Sequence, residues 1–337
     1  MIVVVGGGAG GLELVTRLGR SLGKSRRAEV TLVDSQMTHL WKPLLHEVAA
    51  GSLDASGNEL DFVAQAKWNH FLFLGTLCNV DRSNRRIRLA AVIDDRGAEL
   101  IPQRTIDYDT LVLAVGSTTN DFKTPGVAEH CVFLDTPRDA ERFRKRLLQH
   151  YLAAHSRRSE SKIRNEAVNI AIVGAGATGV ELAAELRHAA GQFAQYGLDS
   201  IAPDDMRIAL IDAGPRVLPG LSAKISASAQ AALTRIGVTV LTSTMINEKT
   251  SEGLVTREGI CIQASMKVWA AGIRAPRFLG KIDGLEVNHL GQLRVKTTLQ
   301  TTHDEDIFAF GDCAACPMNE DNEKNGAATR ASRASTG

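Results

Sequence analysis

The sequence has few aromatic residues, almost no net charge and no long apolar run. Aromatic residues make up 5% of its 337 positions, and 39 basic residues nearly balance 38 acidic ones. A net charge of +1 excludes the broad positive field with which proteins attract nucleic acid. No stretch approaches the roughly 18 consecutive apolar residues of a membrane-spanning helix, so none is predicted.

Cysteine is also scarce, and its count is odd. The five cysteines are spread along the chain, which excludes a disulfide scaffold. The N-terminus enters an apolar strand directly, without the charged and small-residue segments of a signal peptide. We therefore expect a cytoplasmic protein with reduced thiols. With 44% hydrophobic residues, the chain is long enough for two globular domains.

An internal repeat at an offset of 168 residues organises the chain. Residues 1–18 and 169–186 are identical at 9 of 18 positions. Each copy is an apolar run, a glycine turn and a stretch with helical spacing, which predicts a strand, a turn and a helix. The GxGxxG glycines are Gly6, Gly8 and Gly11 in the first copy and Gly174, Gly176 and Gly179 in the second.

The spacing of these glycines is typical of dinucleotide binding. The first glycine makes the tight turn, the second lets the backbone approach a pyrophosphate, and the third lets helix and strand pack closely. The N-terminus of the helix then offers unpaired N–H groups and a positive dipole potential to the phosphates. Two copies predict two dinucleotides.

An aspartate follows the second apolar run behind each glycine turn. Asp34 comes 23 residues after Gly11, close to the usual spacing of about 20. Asp212 comes 33 residues after Gly179, and we interpret residues 191–205 as an insertion. Both carboxylates are candidates to accept hydrogen bonds from a ribose.

The charge of Asp212 bears on the choice between the two nicotinamide cofactors. A carboxylate at this position repels a 2′-phosphate and so favours NAD over NADP. Arg216, four residues later, leaves that preference open. Spacing alone does not decide which copy binds a flavin and which a nicotinamide.

Three more apolar runs end in glycine. Residues 108–117 and 267–273 end this way, and residues 306–313 end in Gly-Asp. A carboxylate after such a strand suits the hydroxyls of a ribityl chain, so Asp312 is a candidate flavin ligand. The same runs also fit ordinary buried strands.

The order of these motifs is GxGxxG, AVGS, GxGxxGxE, WAAG and FGD, and it resembles the flavoprotein superfamily of pyridine-nucleotide-dependent disulfide reductases. Four segments narrow the resemblance to type II NADH dehydrogenases, single-subunit NADH:quinone oxidoreductases that do not pump protons. The segments are residues 39–53, 116–126, 213–219 and 268–272. The resemblance runs from Met1 to about Met318.

The resemblance implies an α/β fold with two Rossmann-like, doubly wound dinucleotide-binding domains. The expected FAD domain is discontinuous, at residues 1–122 and 274–337. A connecting segment at 123–165 leads to the expected NAD domain at 166–273. One FAD is expected to be bound non-covalently, with NADH as the substrate.

The resemblance also assigns roles to residues. Lys42 and Pro43 are expected near the isoalloxazine, and Glu181 near the meeting point of nicotinamide and flavin. Glu13 stands at the same repeat position as Glu181, so a shared helix position is an alternative explanation. The expected FAD contacts are Gly6, Gly8, Ala9, Gly10, Gly11, Asp34, Gly116, Gly311 and Asp312, and the expected NAD contacts are Gly174, Gly176, Gly179, Asp212 and Gly272.

The expected partners are NADH and a membrane quinone, with no nucleic acid. A peripheral contact with the cytoplasmic face of the inner membrane and a homodimer are left open. Residues 36–60 lack the cysteine pair of lipoamide and glutathione reductases, which argues against that chemistry. Cys313 and Cys316 form a CxxC without a second pair, so no metal site is predicted.

Two other features have ordinary interpretations. His39 and His46 are seven residues apart and compatible with one helix face, although loop packing is favoured over metal binding. Residues 138–166 are rich in Lys and Arg, and we expect a solvated helix and linker there. Contact with anionic lipid headgroups is the alternative for this basic run.

The C-terminal residues depart from the family pattern. Residues 325–337 are small and polar and are expected to be disordered. Ser332 stands where the family has a glutamine, which fits a truncated or frame-shifted form of a longer protein. Two alternatives to the expected activity follow. One is an inactive or partly active fragment that lacks the quinone site and membrane anchor, and the other is an NADH-dependent flavin reductase with a soluble acceptor.

Overall fold

A computed structural model of the chain describes residues 1–94, 96–161, 167–195, 202–250 and 253–317. The chain folds into two units. The first unit comprises Met1–Trp41, Asn58–Thr118 and the residues from Ile273 onward, and the second comprises Lys42–Gly57 and Thr119–Gly272. The expectations for residues 325–337, Ser332 included, lie outside the described residues.

The described strands are β1 (Ile2–Val5), β2 (Val30–Val33), β3 (Thr38–His39), β4 (Leu60–Asp61), β5 (Leu72–Leu74), β6 (Leu77–Asp81), β7 (Arg86–Leu89), β8 (Val92–Ile93), β9 (Glu99–Ile101), β10 (Arg104–Asp107), β11 (Thr110–Leu113), β12 (Thr118–Thr119), β13 (Val168–Val173), β14 (Met206–Ile211), β15 (Val238–Leu241), β16 (Ile246–Lys249), β17 (Gly253–Thr256), β18 (Cys261–Gln263), β19 (Met266–Trp269), β20 (Ile273–Arg274), β21 (Leu293–Arg294), β22 (Gln300–Thr301), β23 (Asp304–Ala309) and β24 (Ala314–Ala315).

The described α-helices are α1 (Ala9–Leu18), α2 (Leu45–Ala50), α3 (Phe62–Asn69), α4 (Val127–His130), α5 (Pro137–Ser161), α6 (Ala177–Gln195) and α7 (Ala223–Arg235). Short 3₁₀ turns occupy Lys42–Leu44, Pro203–Asp205, Leu279–Lys281 and Gly311–Cys313, and a π-helical turn follows α1 at Gly19–Gly23.

The first unit is built on a six-stranded sheet in the order β22-β23-β11-β1-β2-β5. All pairings are parallel except that of β22 with β23. Val3 and Val4 on the central strand β1 are fully buried. Strands covered on both faces need continuous apolar runs, which explains the Ile-Val-Val-Val sequence of β1.

The second unit repeats this plan with a four-stranded parallel sheet in the order β15-β14-β13-β19. On its central strand β13, Val173 is paired with Ile211 on one side and Trp269 on the other. A separate antiparallel sheet of β16, β17 and β18 packs against it through the buried Leu254.

In both units the chain leaves the central strand toward one neighbour and returns on the other side. The switch occurs at the ends of β1 and β13, the two strands that lead into the glycine turns. In doubly wound sheets, ligands bind at this switch point beyond the carboxyl ends of the strands.

The basic run forms the long helix α5 of the second unit. Its side chains at Phe143, Leu147 and Tyr151 are fully buried, and the helix packs against α2. The expected helix is present. The expectation that it is solvated is wrong for one face, because an apolar stripe runs between its charged residues. Residues 162–166 lie outside the described residues.

The division into units differs from the expected domain boundaries. Residues 42–57 and 119–122 lie in the second unit, although they were expected in the FAD domain, and Ile273, expected in the NAD domain, lies in the first unit. The expected connecting segment, as far as it is described, also lies in the second unit.

Candidate functional site

The first glycine turn shows why two of its glycines are required. Gly6 adopts φ +103, and a Cβ there would overlap the carbonyl oxygen of Ala114. A Cβ on Gly11 would overlap the carbonyl oxygen of Gly6 itself. The middle glycine, Gly8, has no atom within 4 Å of the position of a Cβ and caps the N-terminus of α1 without a side chain. The open backbone of the turn is therefore at Gly8.

The second turn has the same geometry. Gly174 adopts φ +107, a Cβ on Gly179 would overlap the carbonyl oxygen of Gly174, and Gly176 has open space. The amide of Gly174 donates to the Ile211 carbonyl at 2.7 Å, as the Gly6 amide donates to its neighbouring strand at 2.8 Å. In both copies the third glycine thus packs against the first glycine of its own turn. This contact adds to the expected close packing of the helix against the strand.

Each predicted aspartate lies directly behind its glycine turn. In the first unit, Gly7 N donates to Asp34 Oδ2 at 2.5 Å and Gln36 N donates to Oδ1 at 2.7 Å. In the second unit, the corresponding donors to Asp212 are Ala175 N at 2.6 Å and Gly214 N at 2.7 Å. A carboxylate has about four acceptor positions, so each retains capacity for ribose hydroxyls.

His39 lies beside the first of these carboxylates. Burial lowers the pKa of His39, and the negative charge of Asp34 opposes that shift. The lowered pKa keeps the imidazole neutral at neutral pH, so it leaves the carboxylate free of a strong ion pair. His39 is in β3 and His46 is in α2. The idea that the two histidines share one helix face is wrong.

The ends of β11 and β23 add a second open stretch to the first unit. Gly116 at φ +64 and Gly311 at φ +77 both have open space where a side chain would stand. Ser117 Oγ donates to Asp312 Oδ2 at 2.9 Å, and Gln292 Nε2 donates to the Asp312 carbonyl at 2.9 Å. Gln292 is 6% exposed, and nothing in the sequence pattern indicated its role.

The second unit contains a cleft of about 700 Å³ at the carboxyl end of its sheet. The expected NAD contacts Gly174, Gly176, Asp212 and Gly272 all line it. Another wall of the cleft is formed by the segment Phe122 to Pro125, which is not among the expected contacts.

Lys42 is held by a network within the second unit. Its Nζ lies 3.3 Å from Asp135 Oδ1. The same carboxylate accepts hydrogen bonds from the Thr119 amide at 3.0 Å and from the Thr119 hydroxyl at 3.0 Å. Pro43 follows Lys42 in the same 3₁₀ turn and is exposed. Asp135 was not among the expected site residues.

Glu181 and its repeat counterpart have different partners. Glu181 Oε2 lies 3.5 Å from His46 Nδ1, with half of the Glu181 side chain exposed. Glu13 instead accepts a hydrogen bond from Arg17 of its own helix at 2.6 Å. The two glutamates thus stand at the same repeat position in different surroundings.

The CxxC pair has the properties of a structural element. Cys313 is fully buried, and burial raises the pKa of its thiol to about 11. Its Sγ donates to the carbonyls of Leu113 and Phe310. Burial also raises the pKa of Cys316. Among the described residues, no group of three or more His, Cys, Asp or Glu side chains is arranged to hold a metal ion.

In the described part of the chain, no helix combines the length and the apolar character that crossing a bilayer requires. This statement covers α5, which is long enough but rich in charged residues.

Two doubly wound sheets, each with a glycine turn and a carboxylate at its switch point, define a two-dinucleotide oxidoreductase. The family model of the pyridine nucleotide-disulphide oxidoreductases matches residues 1–335. A type II NADH:quinone oxidoreductase of Haemophilus influenzae is 46% identical over 326 residues, which cover 93% of this chain and 73% of that protein. The chain therefore belongs to the type II NADH:quinone oxidoreductases of this family, and both the predicted family and the predicted fold class are confirmed.

Other matches are more distant. The type II NADH:quinone oxidoreductase NdhA of Mycobacterium tuberculosis is 28% identical over 94% of this chain and 66% of its own length. The structure of NDH2 from Plasmodium falciparum in complex with NADH has a TM-score of 0.79 at 22% identity, over 94% of this chain and 64% of that chain. The chain thus spans about three quarters of the Haemophilus relative and slightly less than two thirds of the solved structure.

Proposed function

We propose that this chain oxidises NADH through one non-covalently bound FAD and passes the electrons to a quinone. The observation that carries the proposal is the pair of open glycine turns, each backed by a carboxylate that keeps free acceptor positions. A chain with two such turns binds two dinucleotides, one of which supplies the hydride that the other accepts.

The first unit is the proposed FAD domain. Its open positions at Gly8, Gly116 and Gly311 lie at the ends of three neighbouring strands, where a long cofactor needs close approach to backbone. Ala9, Gly10 and Gly11 begin α1 and offer amides to the pyrophosphate. Asp34 would hold the adenosine ribose and Asp312 the ribityl hydroxyls. FAD supplies the two-electron chemistry when bound.

The second unit is the proposed site of NADH. Gly176 leaves the backbone open to the pyrophosphate, and Asp212 would accept from the ribose hydroxyls. The neighbouring Arg216 donates to the Pro219 carbonyl at 2.8 Å. A guanidinium engaged in this way offers less to a 2′-phosphate, which supports NADH over NADPH.

Three residues are proposed to act at the redox centre. Lys42 presents a fixed positive charge, since Asp135 and Thr119 orient it. Pro43 stiffens the same turn. Glu181 presents a half-exposed carboxylate whose Oε2 lies 3.5 Å from Nδ1 of His46. The family resemblance supports their nearness to the reacting rings.

A membrane quinone as acceptor implies work at a membrane surface. We therefore propose a peripheral contact with the cytoplasmic face of the inner membrane. A homodimer is a second proposal, and sedimentation equilibrium of the purified protein tests it. Flotation with vesicles of anionic phospholipid tests the membrane contact.

The test of the proposed activity is the visible spectrum of the purified chain before and after anaerobic addition of NADH. Oxidised flavin bands at one equivalent that bleach with NADH, followed by reoxidation with a quinone in detergent, are expected. Reoxidation by a soluble dye without quinone turnover would instead favour the reductase with a soluble acceptor. A colourless protein that FAD does not reconstitute would contradict the proposal and favour an inactive fragment.

A further inference from the structure

The segment Asn120 to Thr124 has an unusual backbone. Phe122 and Lys123 adopt φ +50 and φ +58 in succession, a conformation that non-glycine residues rarely accept. Asn120 Oδ1 accepts from the Phe122 amide at 3.0 Å, and Asp121 Oδ1 accepts from the Lys123 amide at 3.2 Å. Two consecutive side-chain caps therefore maintain a strained turn.

This turn is fixed to the end of β19. The Asn120 amide donates to the Gly272 carbonyl at 3.2 Å. Trp269 Nε1 donates to the Asn120 carbonyl at 2.9 Å, and Trp269 is only 3% exposed. The position of the turn is thus set by the core of the second unit rather than by solvent.

The turn presents the ring of Phe122 to the cleft. Phe122 is 59% exposed, although the backbone turn that carries it is held by side-chain hydrogen bonds. A Cβ on Gly272 would lie 2.8 Å from Phe122 Cζ, so the ring stands over a backbone that only glycine leaves free. Both residues line the 700 Å³ cleft.

The strand order shows which half of a bound dinucleotide would lie near Phe122. In the sheet, β13 lies between β14 and β19. The glycine turn after β13 therefore lies between Asp212, which follows β14, and Gly272, which follows β19. Phe122 lies against Gly272 and so is on the same side of the turn as β19. If the pyrophosphate lies on the turn and the adenosine ribose on Asp212, the other nucleoside extends toward Phe122.

We propose that Phe122 is the binding residue for the nicotinamide half of the dinucleotide, against which its ring packs. The proposal rests on the binding of NADH in the second unit. The backbone that carries the ring is already held by Asn120, Asp121 and Trp269, so binding needs to order little of it. Packing of the ring against the nicotinamide half adds affinity for that half of the ligand only. Strain in the turn is the structural cost of keeping that ring exposed.

The test compares two ligands that differ only in the nicotinamide, NAD⁺ and ADP-ribose, by calorimetric titration of the flavin-loaded protein without turnover. Phe122→Ala is expected to raise the Kd for NAD⁺ about 5- to 10-fold and to leave that for ADP-ribose within about twofold. Phe122→Tyr, which keeps the ring, is expected to bind NAD⁺ as the unaltered protein does. Phe122→Gly also removes the ring, and glycine adopts a positive φ without strain. It is therefore expected to raise the Kd for NAD⁺ to the same extent as Phe122→Ala.

Met245 supplies the matched control. It lines the same cleft, is 49% exposed, and lies beyond β15 on the side of Asp212. Met245→Ala is expected to change the Kd of both ligands by one common factor. An equal loss for both ligands in Phe122→Ala and Phe122→Gly, or no loss for either, would overturn the assignment of Phe122. Failure of the unaltered protein to bind either ligand would overturn the proposed function as well.

Discussion

The two glycine turns agree closely in backbone geometry, and the strand ends around them differ. In the first unit Gly116 and Gly311 leave two further strand ends open, whereas in the second unit the ring of Phe122 stands over Gly272. The same fingerprint thus serves two kinds of site. The first suits a long cofactor that lies against backbone along several strands, and the second suits a ligand that enters and leaves a bounded cleft.

The largest expected effect comes from the third glycine of each turn. Gly11→Ala and Gly179→Ala place a Cβ on a carbonyl oxygen of the same turn, so each should cost about 1–3 kcal/mol of folding stability or distort the turn. Gly11→Ala should be purified without flavin. Gly179→Ala should retain flavin that NADH fails to bleach.

The middle glycines are the controls for this pair. Gly8→Ala and Gly176→Ala add a methyl group to open space, so thermal unfolding should change little. Loss of flavin from Gly179→Ala to the same extent as from Gly11→Ala would contradict the assignment of FAD to the first turn and of NADH to the second.

A smaller effect is expected at the glutamates of the repeat. Glu181→Gln removes a carboxylate beside His46 and should slow steady-state turnover by about 10- to 100-fold with flavin still bound. Glu13→Gln, at the matching position, loses only a surface pair with Arg17 and should turn over normally. Flavin loss from Glu181→Gln would instead indicate that the residue is structural.

Replacement of Asp212 tests whether the second unit binds NADH through this carboxylate. Asp212→Ala removes a charged acceptor, so the KM for NADH should rise about 10-fold. The preference for NADH over NADPH should narrow, because the repulsion of a 2′-phosphate is also removed. Steady-state kinetics with both substrates measure this, and unchanged discrimination would remove Asp212 from the site.

The smallest effect is expected at Cys313. Burial raises the pKa of its thiol to about 11 from an ordinary value of 9.0, so a thiol reagent at pH 8 should modify the exposed Cys78 and Cys261 and leave Cys313 unmodified. The unfolded thiol ionises at lower pH than the folded one. Folding stability should therefore fall as the pH rises from 9 toward 11, and Cys313→Ala should not show this contribution.

Local patterns were sufficient for the fold and for placing two carboxylates behind the glycine turns. Asp34 and Asp212 were found because the strand period places them at a strand end behind a glycine turn, and both accept from that turn. Gly116 and Gly311 were singled out as glycines that end apolar runs, and both have open space where a side chain would stand. In each case the position depends on residues close in sequence or on the repeat.

The parts that the sequence did not indicate depend on contacts between distant residues. His46 lies beside Glu181, and Asp135 beside Lys42, only because α2 and its neighbours pack in the second unit. Phe122 reaches Gly272 across 150 positions through a strained turn that no propensity predicts. The burial of α5 was missed because its charged residues hide the apolar stripe in an average over the segment.

The closure of each glycine turn on its own carbonyl has an evolutionary consequence. The first and third glycines are required because a side chain there would overlap the backbone of the protein itself. Selection for a folded protein therefore preserves them whether or not a nucleotide is bound. The middle glycine alone is free of internal contacts. A lineage that abandoned catalysis would keep positions 6, 11, 174 and 179 and drift at positions 8 and 176, which makes these two positions the ones to compare when an enzyme is to be told from an inactive descendant.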